Sequence, residues 1–159
     1  MHTCLKEMSV SNRRRFGALM ASAALLAFGV GLSAPASAED FVWSMVTNQA
    51  GLGDQGFNDL AKLGVETSAK ELGGKPLVIQ SSNQSQFVPN LQQAVDSGST
   101  VTTGVGFGIR DALTEVALAN PNAKFTLIDA VAVDKDKKPL PNVASVTFRE
   151  HEAAFLAGI

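Results

Sequence analysis

The chain has 159 residues, 13 basic and 15 acidic side chains and a formal charge of −2. That length suits one domain. A lone cysteine, Cys4, excludes a disulfide framework within the chain. The slight acidic excess gives no support to a nucleic-acid partner, which calls for a basic surface.

The amino-terminal stretch reads as an export signal over residues 1–38. Arg13, Arg14 and Arg15 form a positive block, a mostly apolar run follows from Phe16 to Ser37, and Ala36-Ser37-Ala38 supplies the small-x-small pattern of a cleavage site. The run is long enough to suggest a retained anchor, since about 18 apolar residues can span a bilayer. However, its strongly apolar part is confined to Ala18–Leu32 and Pro35 breaks it, so cleavage after Ala38 and a periplasmic location are the expectation. Asn12-Arg13-Arg14-Arg15-Phe16 resembles a twin-arginine signal; an ordinary Sec signal fits the same residues. Cleavage would remove Cys4, and no cysteine follows the cut to carry a lipid. Taking Lys6 and the three arginines from 13 basic residues leaves 9, and taking Glu7 from 15 acids leaves 14, a net of −5. That balance argues against nucleic acid and against anionic membrane surfaces as partners.

Residues 39–159 alternate regularly. Phe41–Asn48 predicts a strand, Gln49–Gly56 a glycine loop, and Phe57–Leu72 a helix stopped by Gly73-Gly74. A short strand at Leu77–Gln80 and a polar loop at Ser81–Ser85 lead to a helix through Phe87, Leu91, Ala94 and Val95. Thr100–Val105 predicts a third strand, residues 110–119 a helix ending before Asn120-Pro121, and Lys124–Ile128 a fourth strand. The charged stretch Asp134–Pro141 predicts a solvated loop, Asn142–Thr147 a fifth strand and Glu150–Gly158 a final helix. This order predicts an α/β fold, a parallel sheet with helices on both faces and right-handed crossovers. Ligands of such sheets sit at the carboxyl ends of the strands, so the loops after Asn48, Gln80, Val105, Ile128 and Thr147 are the ones to inspect. An uncapped amphipathic stretch as short as Glu150–Gly158 needs something to pack on, and a truncated chain is the expectation.

Gly51-Leu52-Gly53-Asp54-Gln55-Gly56 matches G-x-G-x-x-G between a strand and a helix, a pattern shared with dinucleotide-binding oxidoreductases. Three features weaken that alternative. Asp54 places a negative charge inside the turn, Gln49-Ala50 separate the turn from the strand, and Gln80-Ser81-Ser82 offer no acid for a ribose. A simpler role is a turn in which Asp54 caps the following helix, with Asn58 and Asp59 suited to its first turn.

The segment Val46-Thr47-Asn48-Gln49-Ala50-Gly51-Leu52-Gly53-Asp54-Gln55-Gly56-Phe57-Asn58 resembles the opening of the basic membrane protein family, substrate-binding proteins of ABC importers that include purine nucleoside receptors. Gly104-Val105-Gly106-Phe107 and Asn142-Val143…Phe148-Arg149-Glu150-His151-Glu152-Ala153-Ala154-Phe155-Leu156-Ala157-Gly158 agree with it in order and spacing. The resemblance implies the first lobe of a type I periplasmic-binding-protein fold, the second lobe being absent from this sequence. It also implies a nucleoside-like ligand held between two lobes, an ABC permease in the inner membrane as partner, no cofactor and no catalysis. By position it implies that Asn48 and Asp129 bind the base and that Phe57 stacks on it. Asp54, Asn58 and Phe107 complete the candidate ligand-binding set. Phe107 could equally be a core residue; the lesser alternatives are a core role for Phe57 and a loop cap for Asp129. The same fold would also serve a sugar or another small polar ligand.

Other chemistry finds little support. His151 is the only histidine after residue 38, too few for a triad or a histidine-bearing metal site. Glu150-His151-Glu152 are sequence neighbours, and neighbours on a helix do not converge on one ion.

Overall fold

The computed structural model describes residues 41–158, which belong to the unit Ser37–Ile159. The expected export signal and its cleavage site lie outside the described residues. Five strands, β1 (Val42–Val46), β2 (Lys75–Ile79), β3 (Val101–Val105), β4 (Phe125–Ile128) and β5 (Val143–Val146), form one sheet in the order β2-β1-β3-β4-β5. Every pair is parallel. Four α-helices accompany them: α1 (Phe57–Glu71), α2 (Phe87–Asp96), α3 (Arg110–Ala119) and α4 (Glu150–Ala157). The α/β fold expected from the alternation is the one observed.

Side-chain alternation along the strands assigns the faces. Val46 packs with Phe87 and Leu91 of α2, Leu113 and Val116 of α3, and Phe125 and Leu127 of β4, in the larger core cluster. Met45 and Val105, on the opposite face, pack with Val65 of α1, flanked by Trp43, Ala61 and Val78. Gly104 sets the depth of the first packing: a Cβ there would lie 2.6 Å from Leu113 Cδ1. At the far end of α3, the Asn142 amide donates to the carbonyls of Ala117, Asn120 and Ala123, tying the start of β5 to that helix.

Helix α1 covers only part of its face. Beyond it an apolar groove of about 670 Å³ opens, bordered by Phe57, Leu60, Thr126, Ile128, Val146 and Phe148. Nothing among the described residues covers it, although both faces of a parallel sheet are ordinarily buried. Helix α4 leaves the sheet beside this groove with every residue exposed, Phe155 and Leu156 included.

The expected elements differ from the observed ones in small ways. β2 starts at Lys75, two residues early, and includes Pro76. The strand lies at the edge of the sheet, where a missing N–H is tolerated. Short 3₁₀ turns precede α2 (Gln84–Gln86) and α3 (Phe107–Ile109). The charged loop before β5 is drawn together by Asp134, whose Oδ1 accepts the N–H groups of Asp136 and Lys138, while Ala132 and Leu140 beneath it are buried. No helix among the described residues is long and apolar enough to cross a membrane.

Candidate functional site

Strand order reverses between β1 and β3, and the crevice outside their carboxyl ends is where such sheets bind ligands. Asn48 follows β1 and Gly106 follows β3 at this point. Gly106 has φ 86° and ψ 158°, a region open essentially to glycine alone. A Cβ on it would also stand 3.1 Å from Asn48 Nδ2. The two residues border a depression of about 210 Å³, together with Gln49, Ala50, Gln84, Phe107 and Gly108. Phe107 is 76% exposed at its rim, so it is no part of the core.

The glycine loop is held by its own side chains. Gly51 N–H donates to the Asn48 carbonyl, Leu52 N–H to Gln80 Oε1, and Gly53 and Gln55 N–H to the two oxygens of Asp59. Asp54 accepts four hydrogen bonds: Gly56 N–H and Asp59 N–H on Oδ1, Asn58 N–H and Asn58 Nδ2 on Oδ2. It therefore caps the first turn of α1. These bonds hold its carboxyl below the usual value, the backbone N–H of Asn58 contributing most. A dinucleotide pyrophosphate needs free loop N–H groups and no local anion; here the donors are taken and two carboxylates face them.

Asn58 is fully buried and also fully used. Its Oδ1 accepts the backbone N–H of Asn48, and its Nδ2 donates to Asn48 Oδ1 and to Asp54 Oδ2. Asn48 Oδ1 additionally accepts Ala50 N–H at 2.9 Å. The Asn48 Nδ2 group has no hydrogen-bond partner among the described residues and faces Gly106. Asp54 and Asn58, both candidate ligand contacts by sequence, thus spend their hydrogen-bonding capacity on the loop and on Asn48.

Asp129 occupies the corresponding position one strand beyond β3. Its N–H donates to the Val146 carbonyl at 2.7 Å and its φ is 71°, left-handed backbone that Asp adopts more readily than most residues. Burial raises its carboxyl above the usual value, and Glu150 beside it adds to the rise. Phe57, 46% exposed at the start of α1, lines the apolar groove rather than the depression by Asn48. Its ring and that of Phe148 meet in an inclined, edge-type contact with centroids 5.9 Å apart and an interplanar angle of 67°. Asn48 and Phe107 are therefore brought together, Asp54 and Asn58 stand behind Asn48, Asp129 lies further along the same edge, and Phe57 faces the apolar groove. Sequence reasoning placed Gln80 at this edge and Gly106, Phe148 and Glu150 in motifs, but gave none of the four a role in the site. Gly106 offered a signal, since a glycine closing a strand at the switch point marks a close approach.

The larger groove is apolar and lies over the sheet face; the polar groups gather at the strand ends, which makes that edge the better candidate. Among the described residues no group of acidic, histidine or cysteine side chains is arranged to hold a metal ion.

A parallel sheet in this order, with its polar edge at the switch point, is a doubly wound α/β frame, one shared with ABC solute-binding proteins. The crystal structure of such a protein from Aeropyrum pernix K1 superposes with a TM-score of 0.65 at 34% identity, covering 74% of this chain and 31% of that one. The chain belongs to the family described as ABC transporter substrate-binding protein PnrA-like, whose model matches residues 41–159. It is 34% identical over 124 residues to the ABC transporter nucleoside-binding protein BmpA of Lactococcus lactis subsp. cremoris, covering 76% of this chain and 34% of the relative. It is also 34% identical over 106 residues to basic membrane protein A1 of Borrelia garinii subsp. bavariensis, covering 66% of this chain and 30% of that protein. The chain spans about a third of the length of these relatives.

Proposed function

We propose that residues 39–159 form one wall of the ligand site of a periplasmic binding protein that captures a purine nucleoside, or a related base-plus-sugar ligand, for an ABC permease. The observation that carries this reading is the Asn48 Nδ2 group, without a hydrogen-bond partner among the described residues, at the β1/β3 switch point, with Asp129 on the same edge. Asn48 and Asp129 follow strands on either side of β3, so their backbones stand about 10 Å apart at ordinary strand spacing. A base lying across β3 would meet a donor on one side and a carboxylate on the other. Phe57 offers an exposed ring for stacking, worth about 0.5–1.5 kcal/mol beyond its burial.

The depression beside Asn48, about 210 Å³, is smaller than the roughly 300–1,000 Å³ of a complete small-molecule site. A second lobe closing over the edge by a hinge would complete it. Export by the amino-terminal signal would place the protein in the periplasm. The proposed role is capture and delivery, with no chemical step.

Calorimetric titration of the complete protein with purine nucleosides, free bases and sugars tests the reading. Nucleosides should bind, and Phe57→Ala and Asp129→Ala should each weaken them about tenfold or more, which is about 1.4 kcal/mol. A preference for sugars, or unchanged affinity in both variants, would overturn it.

A further inference from the structure

We propose that Asp54 and Asn58 are positioning residues that lock the side-chain amide of Asn48 in one orientation, so that the β1 side of the cleft is a pure hydrogen-bond donor and selects ligands with an acceptor there. This rests on the nucleoside reading above and specifies what the ligand must present to Asn48.

An asparagine amide is nearly symmetric in shape and can offer either oxygen or NH₂ to a ligand; its neighbours decide which. The chain of constraints starts at the backbone. Asn48 N–H needs an acceptor and finds Asn58 Oδ1 at 3.1 Å. That fixes the Asn58 amide, turning its Nδ2 toward Asn48 Oδ1 and Asp54 Oδ2, both at 2.9 Å. Asp54 can only accept when ionised, which enforces the same sense. Ala50 N–H demands the Asn48 oxygen as well. Turning the Asn48 amide over would set its NH₂ against two donors, costing Ala50 N–H its acceptor and leaving Asn58 Nδ2 with Asp54 Oδ2 alone. Asn58 is fully buried, so water cannot repair the loss. Gly106 completes the device by leaving clear the space in front of Nδ2.

The ligand therefore meets two N–H groups at Asn48. A ring nitrogen or a carbonyl oxygen satisfies them, and an exocyclic amino group placed there is refused. With the oxygen outward, Asn48 and Asp129 would both be acceptors and would require two donors from the base. The lock converts this into one acceptor and one donor, the mixed pattern along the edge of a purine.

Two measurements on the complete protein test the lock. In the ligand-free protein, NMR should show a cross-relaxation peak between the Asn48 Nδ2 protons and the α-protons of Gly106. The exchange variant Asp54→Asn/Asn58→Asp places a carboxylate against Asn48, and there the peak should vanish while circular dichroism confirms the fold. Purine nucleosides lacking one acceptor each (1-, 3- and 7-deaza rings and the 6-unsubstituted riboside) should include one that binds the wild type about tenfold more weakly than its parent. That gap should close in Asn48→Ala and in the exchange variant. A missing peak in the wild type, a peak that persists in the folded exchange variant, or a gap unchanged in Asn48→Ala would each overturn the proposal. Failure of the wild type to bind any purine nucleoside would defeat the nucleoside reading, and the peak alone would still decide the lock.

Discussion

Around β1 and β3, the side chains behind Asn48 are engaged with the loop and with one another: Asp54 accepts four hydrogen bonds, the Asn58 side chain makes three, and Asp59 holds two loop N–H groups. Around β4 and β5 the same carboxyl edge is built more loosely. Asp129 sits in left-handed backbone beside a second carboxylate, Phe148 is half-exposed, and α4 lies entirely in solvent. The contrast separates two ways of holding a binding group. The β1 side is preorganised, so under the proposed function little conformational freedom would be lost there on ligand binding. The β4–β5 side keeps an unfavourable arrangement of charge, which a ligand donating to Asp129 would relieve.

Gly106→Ala should produce the largest effect of single changes that probe this contrast. It forces a side chain into a backbone region that costs about 1–3 kcal/mol and crowds the Asn48 amide. Denaturant unfolding should register the loss, and binding should fall along with it. If stability and affinity were unchanged, the β1 side would be no more rigid than its neighbour.

The two carboxylates should respond to pH with opposite signs. The folded-state value of Asp54 is lowered, so its contribution is present above its unfolded value near 3.8 and is lost as pH falls through the folded value. The folded-state value of Asp129 is raised, so its contribution is present below that unfolded value and is lost as pH rises through the folded one. At pH 7, Asp54→Asn should therefore lower the melting temperature and Asp129→Asn should raise it. Equal shifts in one direction would erase the distinction. The smallest effect should come from Phe155→Ala, within about 0.5 kcal/mol of wild type, because that ring is 71% exposed.

Much of this architecture was legible in the sequence because it rests on local signals. Apolar runs at Val42–Val46 and Phe125–Ile128, the Gly73-Gly74 stop after α1 and Asn120-Pro121 after α3 mark elements without tertiary information. The capping role of Asp54 was legible for the same reason, since it lies three residues before the helix it caps. The start of β2 was not, because Pro76 argues against a strand until the edge position is known. The relation of Asn48 to Gly106 was not either. It joins residues 58 positions apart, and only the pairing of β1 with β3 brings them together. Phe57 shows the limit from the other side: a motif located it, but only the structure shows its ring turned to the apolar groove with Phe148.

The most direct test of the account is a crystal structure of the complete protein with inosine bound. The account predicts the base across β3, with Asn48 Nδ2 donating to an acceptor of the ligand, Asp129 accepting from it, and Asp54 and Asn58 still bonded only to the loop and to Asn48. A base seated elsewhere, or one contacted directly by Asp54 or Asn58, would contradict it.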